Sequence, residues 1–363
     1  EADQLRRDMA AWRKHGRLMQ HRQRLLDGFA RTGISEQFGE QLFKQIQGFG
    51  EYGFPESHAA SFALIVYASA WLKVNHPAAF ACALINSQPM GFYSASSIVR
   101  DAQAHGVEVI EPDVVHSGWD CTLEGRAPSL RLGLRLIKGL GRGAAISIEQ
   151  AREQGGFTGL DDLIRRAGRE KNHVEALAEA GALEPLVPGR RHALWKARAP
   201  RSGPLFEGVP TNEARVPLRP LHPREQLVLD YGRLGLSVHD HPMRHLRDML
   251  GPRGVVEAGK LIASRHGSAI AVAGVVLNRQ QPYTASGVVF MTLEDETGLA
   301  NLIVRKEVFE RYRHEVVHGR MLLAKGRLQH QEGVIHVLGE GFERLDAAGW
   351  GAGELEVRSR DFH

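Results

Sequence analysis

The chain has 363 residues, of which 43% are hydrophobic and 24% charged, and its formal net charge is +4. This length predicts two or three domains, and the composition is typical of a soluble globular protein and excludes a disordered or fibrous one. Arginine outnumbers lysine, and because its planar guanidinium suits phosphate, nucleic acid is the favoured class of partner. Cys82 and Cys121 form neither a zinc pattern nor a disulfide framework, which indicates a reducing, cytoplasmic setting.

The amino-terminal end carries no targeting signal that we can identify. The chain begins at Glu1, without a methionine and without a basic-then-apolar leader, so we expect a fragment of a protein that is not secreted. The longest apolar run, residues 59–72, is too short to span a bilayer, which needs about 20 residues. We therefore expect no contact with membranes.

Residues 1–45 have apolar side chains at helical spacing and predict helices rich in Arg and Gln. A glycine-rich turn at residues 48–53 then precedes the apolar run at 59–72, which predicts a buried helix. Tyr52 and His58 before that helix, and Lys73 at its end, would suit a polyanion. The alternative is a core helix with a tight entry turn and no ligand.

The segment LIKGLG, at residues 136–141, predicts the turn of a helix-hairpin-helix motif. Gly139 and Gly141 would expose consecutive backbone N–H groups, and the following helix would add its positive end, so a phosphate of DNA could bind there. Lys138 and Arg142 would supply charge. Because such turns also occur as plain packing elements, binding and packing both remain open for this motif.

A second, poorer copy of this hairpin follows at residues 177–183. It contains Glu179, whose carboxylate would repel a phosphate. We therefore expect the second copy to be structural.

Residues 186–225 contain seven prolines and little periodicity, which predicts a linker. Residues 225–250 then predict one or two helices, broken at His241-Pro242.

Residues 268–346 alternate strongly between apolar and polar side chains, and five strands with a helix before the fourth predict an OB-fold barrel. The predicted strands are 268–278, 287–294, 298–304, 320–329 and 334–338, and the predicted helix is 306–317. Such barrels bind single strands with their second and third strands and with loops, here 279–286 and 330–333. Arg279 could form an ion pair and Tyr283 a stacking platform. Phe290 could also stack if it faced outward, but we expect it in the core.

Several segments resemble motifs of the C-family bacterial DNA polymerases, the DnaE-type alpha subunits. Residues 52–77, YGFPESHAASFALIVYASAWLKVNHP, are similar to a pattern in the fingers of that family, as are residues 2–9, ADQLRRDM. The forms FPESHAASFAL (54–64) and NSQPMGFYS (86–94) resemble the damage-inducible error-prone branch. The resemblance covers essentially the whole chain.

The resemblance implies roles for residues near the amino-terminal end. Arg6 and Arg7 would reach the phosphates of an incoming deoxynucleoside triphosphate. Tyr52 and His58 would lie near the nascent base pair, and Lys73 would contact a phosphate. Without the resemblance, the arginine pair would pass for an ordinary solvated helix face.

The resemblance further implies that the whole protein joins deoxynucleotides to a primer, with two Mg²⁺ ions held by palm carboxylates. This chain lacks the family's Pro-Asp-x-Asp-x-Asp segment, so we expect the fragment to bind no metal, to contain no catalytic residue and to be inactive alone. The implied partners are primer–template DNA, single-stranded template, a deoxynucleoside triphosphate and a Y-family-like accessory protein. The segment Ser202-Gly203-Pro204-Leu205-Phe206 lacks the Gln of the family's clamp-binding peptide, so direct sliding-clamp binding is expected to be weak or absent.

The expected fold class is multidomain α+β, with mostly α-helical fingers and a helix-hairpin-helix region followed by an OB-fold β-barrel. The expected domains are the fingers (1–125), a tandem helix-hairpin-helix region (126–187), a proline-rich linker with a helical connector (188–255), the OB-fold (256–346) and a tail (347–363). The expected function is part of an error-prone DNA polymerase for damage tolerance, translesion synthesis and induced mutagenesis. One alternative is a non-catalytic single-stranded-DNA-binding adaptor, and another is an anticodon-binding relative.

Overall fold

A computed structural model describes residues 15–51, 56–91, 93–168, 170–199, 216–282, 285–331, 333–345 and 360–362, with the backbone alone for 15–20, 46–51, 56–58 and 360–362. Contacts within the chain divide it into two units, Glu1–Asn75 and His76–His363.

The first unit contains three described helices, α1 (His15–Arg31), α2 (Glu36–Glu51) and α3 (Glu56–Asn75). α1 and α2 pack closely because Gly39 leaves room: a Cβ atom there would lie 2.8 Å from Leu26 Cδ2. Leu26 and Phe43 are buried, and Arg22 pairs with Glu40 across the two helices.

Helix α3 confirms the predicted helix over residues 59–72, but the prediction that this helix is buried is wrong. Leu64 and Tyr67 are each 74% exposed, and Phe62 and Trp71 are 50% exposed. An apolar run around a whole helix indicates that its surface is suited to burial. Whether the surface is covered depends on the elements packed over it, which the helix sequence cannot show.

The second unit begins with α4 (Pro77–Asn86), α5 (Ala95–Ala104) and a small sheet of order β1-β3-β2, formed by β1 (Val109–Ile110), β2 (Thr122–Glu124) and β3 (Ser129–Arg131). The chain turns soon after β1. The Asp113 carboxylate accepts hydrogen bonds from the N–H groups of Val115 and His116, both at 2.7 Å, which stabilises the turn.

Four helices follow: α6 (Arg142–Glu153), α7 (Leu160–Ala167), α8 (Lys171–Glu179) and α9 (Arg190–Arg198). One hydrophobic core joins them to α4, α5 and the small sheet, so residue 125, where we predicted a domain boundary, lies within this packed region. Helix α9 lies in the stretch predicted to be a linker. It is helical because Ala193 and Ala197, four residues apart, are buried in the same core.

The connector between this region and the barrel is packed. It consists of α10 (Pro223–Arg233), a 3-10 helix (Pro242–Leu246), α11 (Arg247–Leu250) and two further 3-10 helices (Gly251–Arg253 and Ala258–Ala263). Tyr231, Met243 and Leu246 share a core with Val275 and Leu323 of the barrel. Helix α10 ends at Arg233, earlier than the predicted break at His241-Pro242, and the first 3-10 helix begins at Pro242, where His241 Nδ1 accepts a hydrogen bond from the N–H of Met243 at 3.1 Å.

The carboxyl-terminal part is a closed five-stranded barrel of order β5-β6-β7-β9-β8, in which β5 also pairs with β8. Its elements are β5 (Ala269–Gln280), β6 (Val289–Asp295), β7 (Gly298–Val304), α12 (Lys306–Arg311), α13 (Arg313–His318), β8 (Met321–Gln331) and β9 (Val334–Arg344). The predicted order of strands and helix is confirmed, as is the multidomain α+β fold class. Two short strands extend the sheet along β5, namely β4 (Val255–Val256) and β10 (Arg360–Phe362).

Candidate nucleic-acid interface

The first hairpin presents the amino-terminal end of a helix to solvent. It runs from the 3-10 turn Leu134–Leu136 into α6, with Ile137 and Leu140 buried beneath it. Gly139 has φ +88°, which favours glycine, and Gly141 precedes α6 without a side-chain cap. The first N–H groups of a helix have no partner within it, so this end can accept an anion.

Charge and open backbone surround this helix end. Lys138 and Arg142 are exposed, and a Cβ atom at Gly141 or Gly143 would meet nothing within 4 Å. The hairpin itself is therefore confirmed, and it brings Lys138, Gly139, Gly141 and Arg142 together on one exposed turn. Their contact with DNA stays a prediction.

The hairpin is also held from behind by the carboxyl end of α10. The N–H of Lys138 donates to the Arg233 carbonyl at 2.9 Å, and its ammonium donates to the Tyr231 carbonyl at 3.3 Å. In return, Arg233 Nη1 donates to the Lys138 carbonyl at 3.2 Å. A Cβ atom at Gly139 would lie 3.2 Å from the same Nη1 atom, so glycine admits the arginine here.

The second hairpin is closed by the protein's own side chains. A Cβ atom at Gly181 would lie 3.0 Å from Arg190 Nη2, and Arg190 Nη1 donates to Asp230 Oδ1 at 2.7 Å. The Glu179 carboxylate accepts hydrogen bonds from Arg233 and Arg198. These contacts agree with the expectation that this copy is structural, because Glu179 and Arg190 both form ion pairs within the chain.

The barrel turns an aromatic side chain outward on its second strand. The prediction that Phe290 is in the core is wrong: it is 38% exposed, whereas its neighbours Val289 and Met291 are buried. It lies opposite Ile303 on β7, and on the same face Thr292 lies opposite Asn301, with Oγ1 and Oδ1 3.2 Å apart. The outer face of β6 and β7 therefore combines an aromatic ring with short polar groups.

Arg279 lies near the end of β5, which runs to Gln280, so the predicted loop begins later than expected. Its guanidinium donates to the carbonyls of Val316 and Gly319, at the end of α13. That arrangement ties the helix to the barrel and leaves the role of Arg279 in single-strand binding untested. Tyr283 lies outside the described residues.

The residues that the family resemblance implies would bind the nucleotide belong to the first unit, and the structure describes only some of them. Arg6, Arg7 and Tyr52 lie outside the described residues, and of His58 only the backbone in α3 is described. Lys73 lies in the last turn of α3 and is partly exposed. The segment Ser202-Gly203-Pro204-Leu205-Phe206 also lies outside the described residues.

Two features are absent from the described residues. They contain no group of three or more His, Cys, Asp or Glu side chains that could hold a metal ion. Within the same part of the chain, none of the helices combines the length and the apolar character needed to cross a membrane.

Two residues of the candidate interface differ from the sequence predictions: Arg233 was not predicted as a site residue, and Phe290 was assigned to the core. Arg233 ends a helix, and Gly235 with φ +75° follows it, a pattern that predicts a capped helix end but not what the arginine contacts. For Phe290 a signal was present. Strand alternation puts it on the same face as Thr292, a polar residue, and opposite Val289 and Met291.

Comparison with known proteins agrees with this geometry. Residues 106–193 match the family model described as a helix-hairpin-helix motif, and residues 270–345 match that described as an OB-fold nucleic acid binding domain. These ranges contain both hairpins and the barrel.

Whole-chain relatives are more specific. The chain is 48% identical over 367 residues to the error-prone DNA polymerase of Alkalilimnicola ehrlichii, covering 100% of this chain and 36% of the relative. It is 48% identical over 365 residues to that of Dechloromonas aromatica and 48% identical over 369 residues to that of Pseudomonas aeruginosa, covering 100% of this chain and 35% of each relative. The chain thus spans about a third of the length of these curated relatives. The resemblance to the error-prone branch of the C-family DNA polymerases is confirmed, because the chain is homologous along its whole length to part of these proteins and carries both a helix-hairpin-helix motif and an OB-fold nucleic acid binding domain.

Proposed function

We propose that this chain is the fingers, helix-hairpin-helix and OB-fold portion of an error-prone DNA polymerase that acts in damage tolerance, translesion synthesis and induced mutagenesis. Its role is to bind primer–template DNA and the incoming nucleotide. The observation that carries the proposal is the open amino-terminal end of α6, with Arg142 exposed beside Gly141 and Gly143. A helix end with an adjacent guanidinium is suited to a phosphate of the DNA backbone.

The chemical step belongs to the whole protein. In it, Mg²⁺ ions held by carboxylates elsewhere in the polymerase would stabilise the attacking and leaving oxygens during phosphoryl transfer. The chain described here would contribute positioning and neutralisation of charge, and we propose that it is inactive by itself. Primer extension by this chain alone, in the presence of Mg²⁺ and all four deoxynucleotides, would contradict that proposal.

Removing the charge of Arg142 should weaken DNA binding in a salt-dependent way. We expect Arg142→Gln to flatten the slope of log affinity against log salt concentration by about 0.9 on duplex-containing DNA, the effect of one lost phosphate contact. Fluorescence anisotropy on labelled primer–template across a salt series measures this slope. Arg165→Gln removes a charge from an arginine that is 64% exposed on α7, outside the hairpin, and is the matched control. Equal slopes for Arg142→Gln and the unchanged protein would contradict the proposed function.

The single-stranded template is assigned to the outer face of the barrel. Phe290 offers a ring on which a base can stack, and aromatic stacking on OB-folds does not require a particular base. We expect Phe290→Ala to cost about 1–3 kcal/mol in binding to single-stranded DNA and little on duplex DNA. Phe38→Ala, at a phenylalanine that is 53% exposed on α2, is the matched control. Equal losses on single-stranded and duplex DNA would contradict this assignment.

The remaining roles are proposed from family resemblance. Arg6 and Arg7 would bind the triphosphate, Tyr52 and His58 would lie near the nascent pair, and Lys73 would meet a phosphate. Nucleotide binding that is unchanged in the double variant Arg6→Ala, Arg7→Ala would contradict the first of these roles.

We also propose a Y-family-like accessory protein as a partner, with little or no direct binding to the sliding clamp. A co-purified clamp that stays bound to the isolated chain would contradict the proposed lack of clamp binding.

We place the protein in the cytoplasm, in agreement with its two cysteines. Burial raises the pKa of the Cys121 thiol to about 11, which keeps it protonated and unreactive. Fractionation of cells expressing the whole polymerase tests this location.

A further inference from the structure

The carboxyl end of α10 touches both hairpins through one side chain. Arg233 Nη1 donates to the carbonyl of Lys138 in the first hairpin at 3.2 Å, and its Nε donates to Glu179 beside the second. The Arg233 side chain is 30% exposed, so most of its surface is covered by the chain. A guanidinium has donors in fixed directions, so these two hydrogen bonds fix the position of one hairpin relative to the other.

Lys138 completes this arrangement in the opposite direction. The last carbonyls of a helix have no partner within the helix and carry a partial negative charge. Lys138 contacts two of the last carbonyls of α10: its backbone N–H donates to the Arg233 carbonyl, and its ammonium donates to the Tyr231 carbonyl, which also accepts the N–H of Gly235 at 3.1 Å. The Lys138 ammonium therefore helps to stabilise the carboxyl end of α10, whereas Arg142 lies at the start of α6.

Helix α10 is itself firmly anchored. Asp230 accepts hydrogen bonds from Arg190 and Ser237, both at 2.7 Å. The Tyr231 ring is buried in the core shared with the barrel, and burial raises the pKa of its hydroxyl to about 12, so that it stays protonated. A hairpin bonded to the end of α10 is thus bonded to a rigid support rather than to a mobile loop.

We propose that Arg233 is a positioning residue that holds the first hairpin in its phosphate-accepting form, and that Lys138 acts with it as a positioning residue and not as a phosphate ligand. This inference rests on the proposed function, since it assumes that the hairpin binds DNA. It assigns the charge contact to Arg142 and the geometry of the turn to the contacts with α10.

The test compares Arg233→Met, Lys138→Met and Arg142→Gln in anisotropy titrations on primer–template DNA across a salt series. When only a fraction of molecules is competent, the apparent affinity falls by that fraction and the number of phosphate contacts is unchanged. We therefore expect Arg233→Met and Lys138→Met to weaken binding about tenfold, equivalent to about 1.4 kcal/mol, with an unchanged salt slope. Arg142→Gln alone should flatten the slope.

Two further measurements separate positioning from loss of folding. Hydrogen exchange of residues 136–143 should accelerate in Arg233→Met, while exchange of the barrel strands stays at its normal rate. Arg233→Lys, which keeps the cation, should restore part of the lost affinity. Arg244→Met, at an arginine that is 58% exposed, is the control and should leave both affinity and exchange unchanged.

Each result has a defined meaning. If Lys138→Met flattens the salt slope as much as Arg142→Gln, Lys138 is a phosphate ligand and the inference is wrong. If Arg233→Met leaves affinity and hairpin exchange unchanged, Arg233 does not position the hairpin. If Arg142→Gln leaves the slope unchanged, the proposed DNA contact of the hairpin itself fails, whatever the behaviour of Arg233.

Discussion

Replacing Asp295 by alanine is expected to lower the free energy of unfolding of the second unit by about 3–5 kcal/mol, because the N–H groups that its buried carboxylate accepts lose their acceptor and Arg247 keeps Glu296 alone as an ion-pair partner. The Asp295 side chain is only 1% exposed. Its Oδ1 accepts hydrogen bonds from Thr297 and Gly298, and its Oδ2 accepts them from Ala258 at 2.8 Å and Arg247 at 2.5 Å. One carboxylate thus joins the β6–β7 turn, α11 and the last 3-10 helix of the connector.

Urea unfolding followed by circular dichroism measures this loss. The control is Asp248→Ala, which makes the same change at an exposed aspartate of α11. Hydrogen exchange in β6 and β7 should accelerate in Asp295→Ala and stay unchanged in the control. Similar unfolding midpoints for the two variants would show that the Asp295 carboxylate does not hold these elements together.

Replacing Gly326 by alanine is expected to cost about 3 kcal/mol or more, at the upper end for an overpacked site. Gly326 lies at an irregularity in the pairing of β8 with β9, opposite Gly339. A Cβ atom there would overlap the carbonyl oxygen of Leu338. Because that oxygen belongs to the backbone of the neighbouring strand, it cannot move aside as a flexible side chain would.

The comparison for this prediction is Gly232→Ala in α10. A Cβ atom at Gly232 meets nothing within 4 Å, so alanine should raise stability by about 0.4–1 kcal/mol by restricting the unfolded chain. Thermal unfolding of the two variants should show a lower melting temperature for Gly326→Ala and a higher one for Gly232→Ala than for the unchanged protein. A neutral Gly326→Ala would mean that β8 and β9 separate locally at little cost.

Much of the fold could be predicted because periodicity is a local property. The alternation of residues 268–346 predicted five strands with a helix before the fourth, and the structure has this order. The hairpin at residues 136–141 was predictable for a similar reason, since glycines in a short apolar turn specify the backbone there. The predicted ends of the strands were less accurate than their order. Strand β5 runs to Gln280, so Arg279 is in a strand rather than in a loop.

Burial was harder to predict than secondary structure. The composition of α3 predicted a core helix, but Leu64 and Tyr67 are largely exposed, because burial depends on other elements. The prediction for Phe290 was wrong in the same direction: it was assigned to the core, but its side chain faces outward on β6. A strand has two faces with the same period, so an error of one residue reverses the assignment of every side chain.

The sequence by itself determined the helical and strand periods, the glycine turns of the hairpins and a whole-chain resemblance to error-prone polymerases. These features depend on neighbouring residues or on inherited motifs. Only the tertiary structure decided which charged side chains have hydrogen-bond partners within the chain. Lys138 looked like a ligand for phosphate, but its ammonium meets the carbonyl end of α10, and Arg233, which no motif marked, joins the two hairpins. These partners are far apart in sequence, and no local pattern records which helix end will meet which turn.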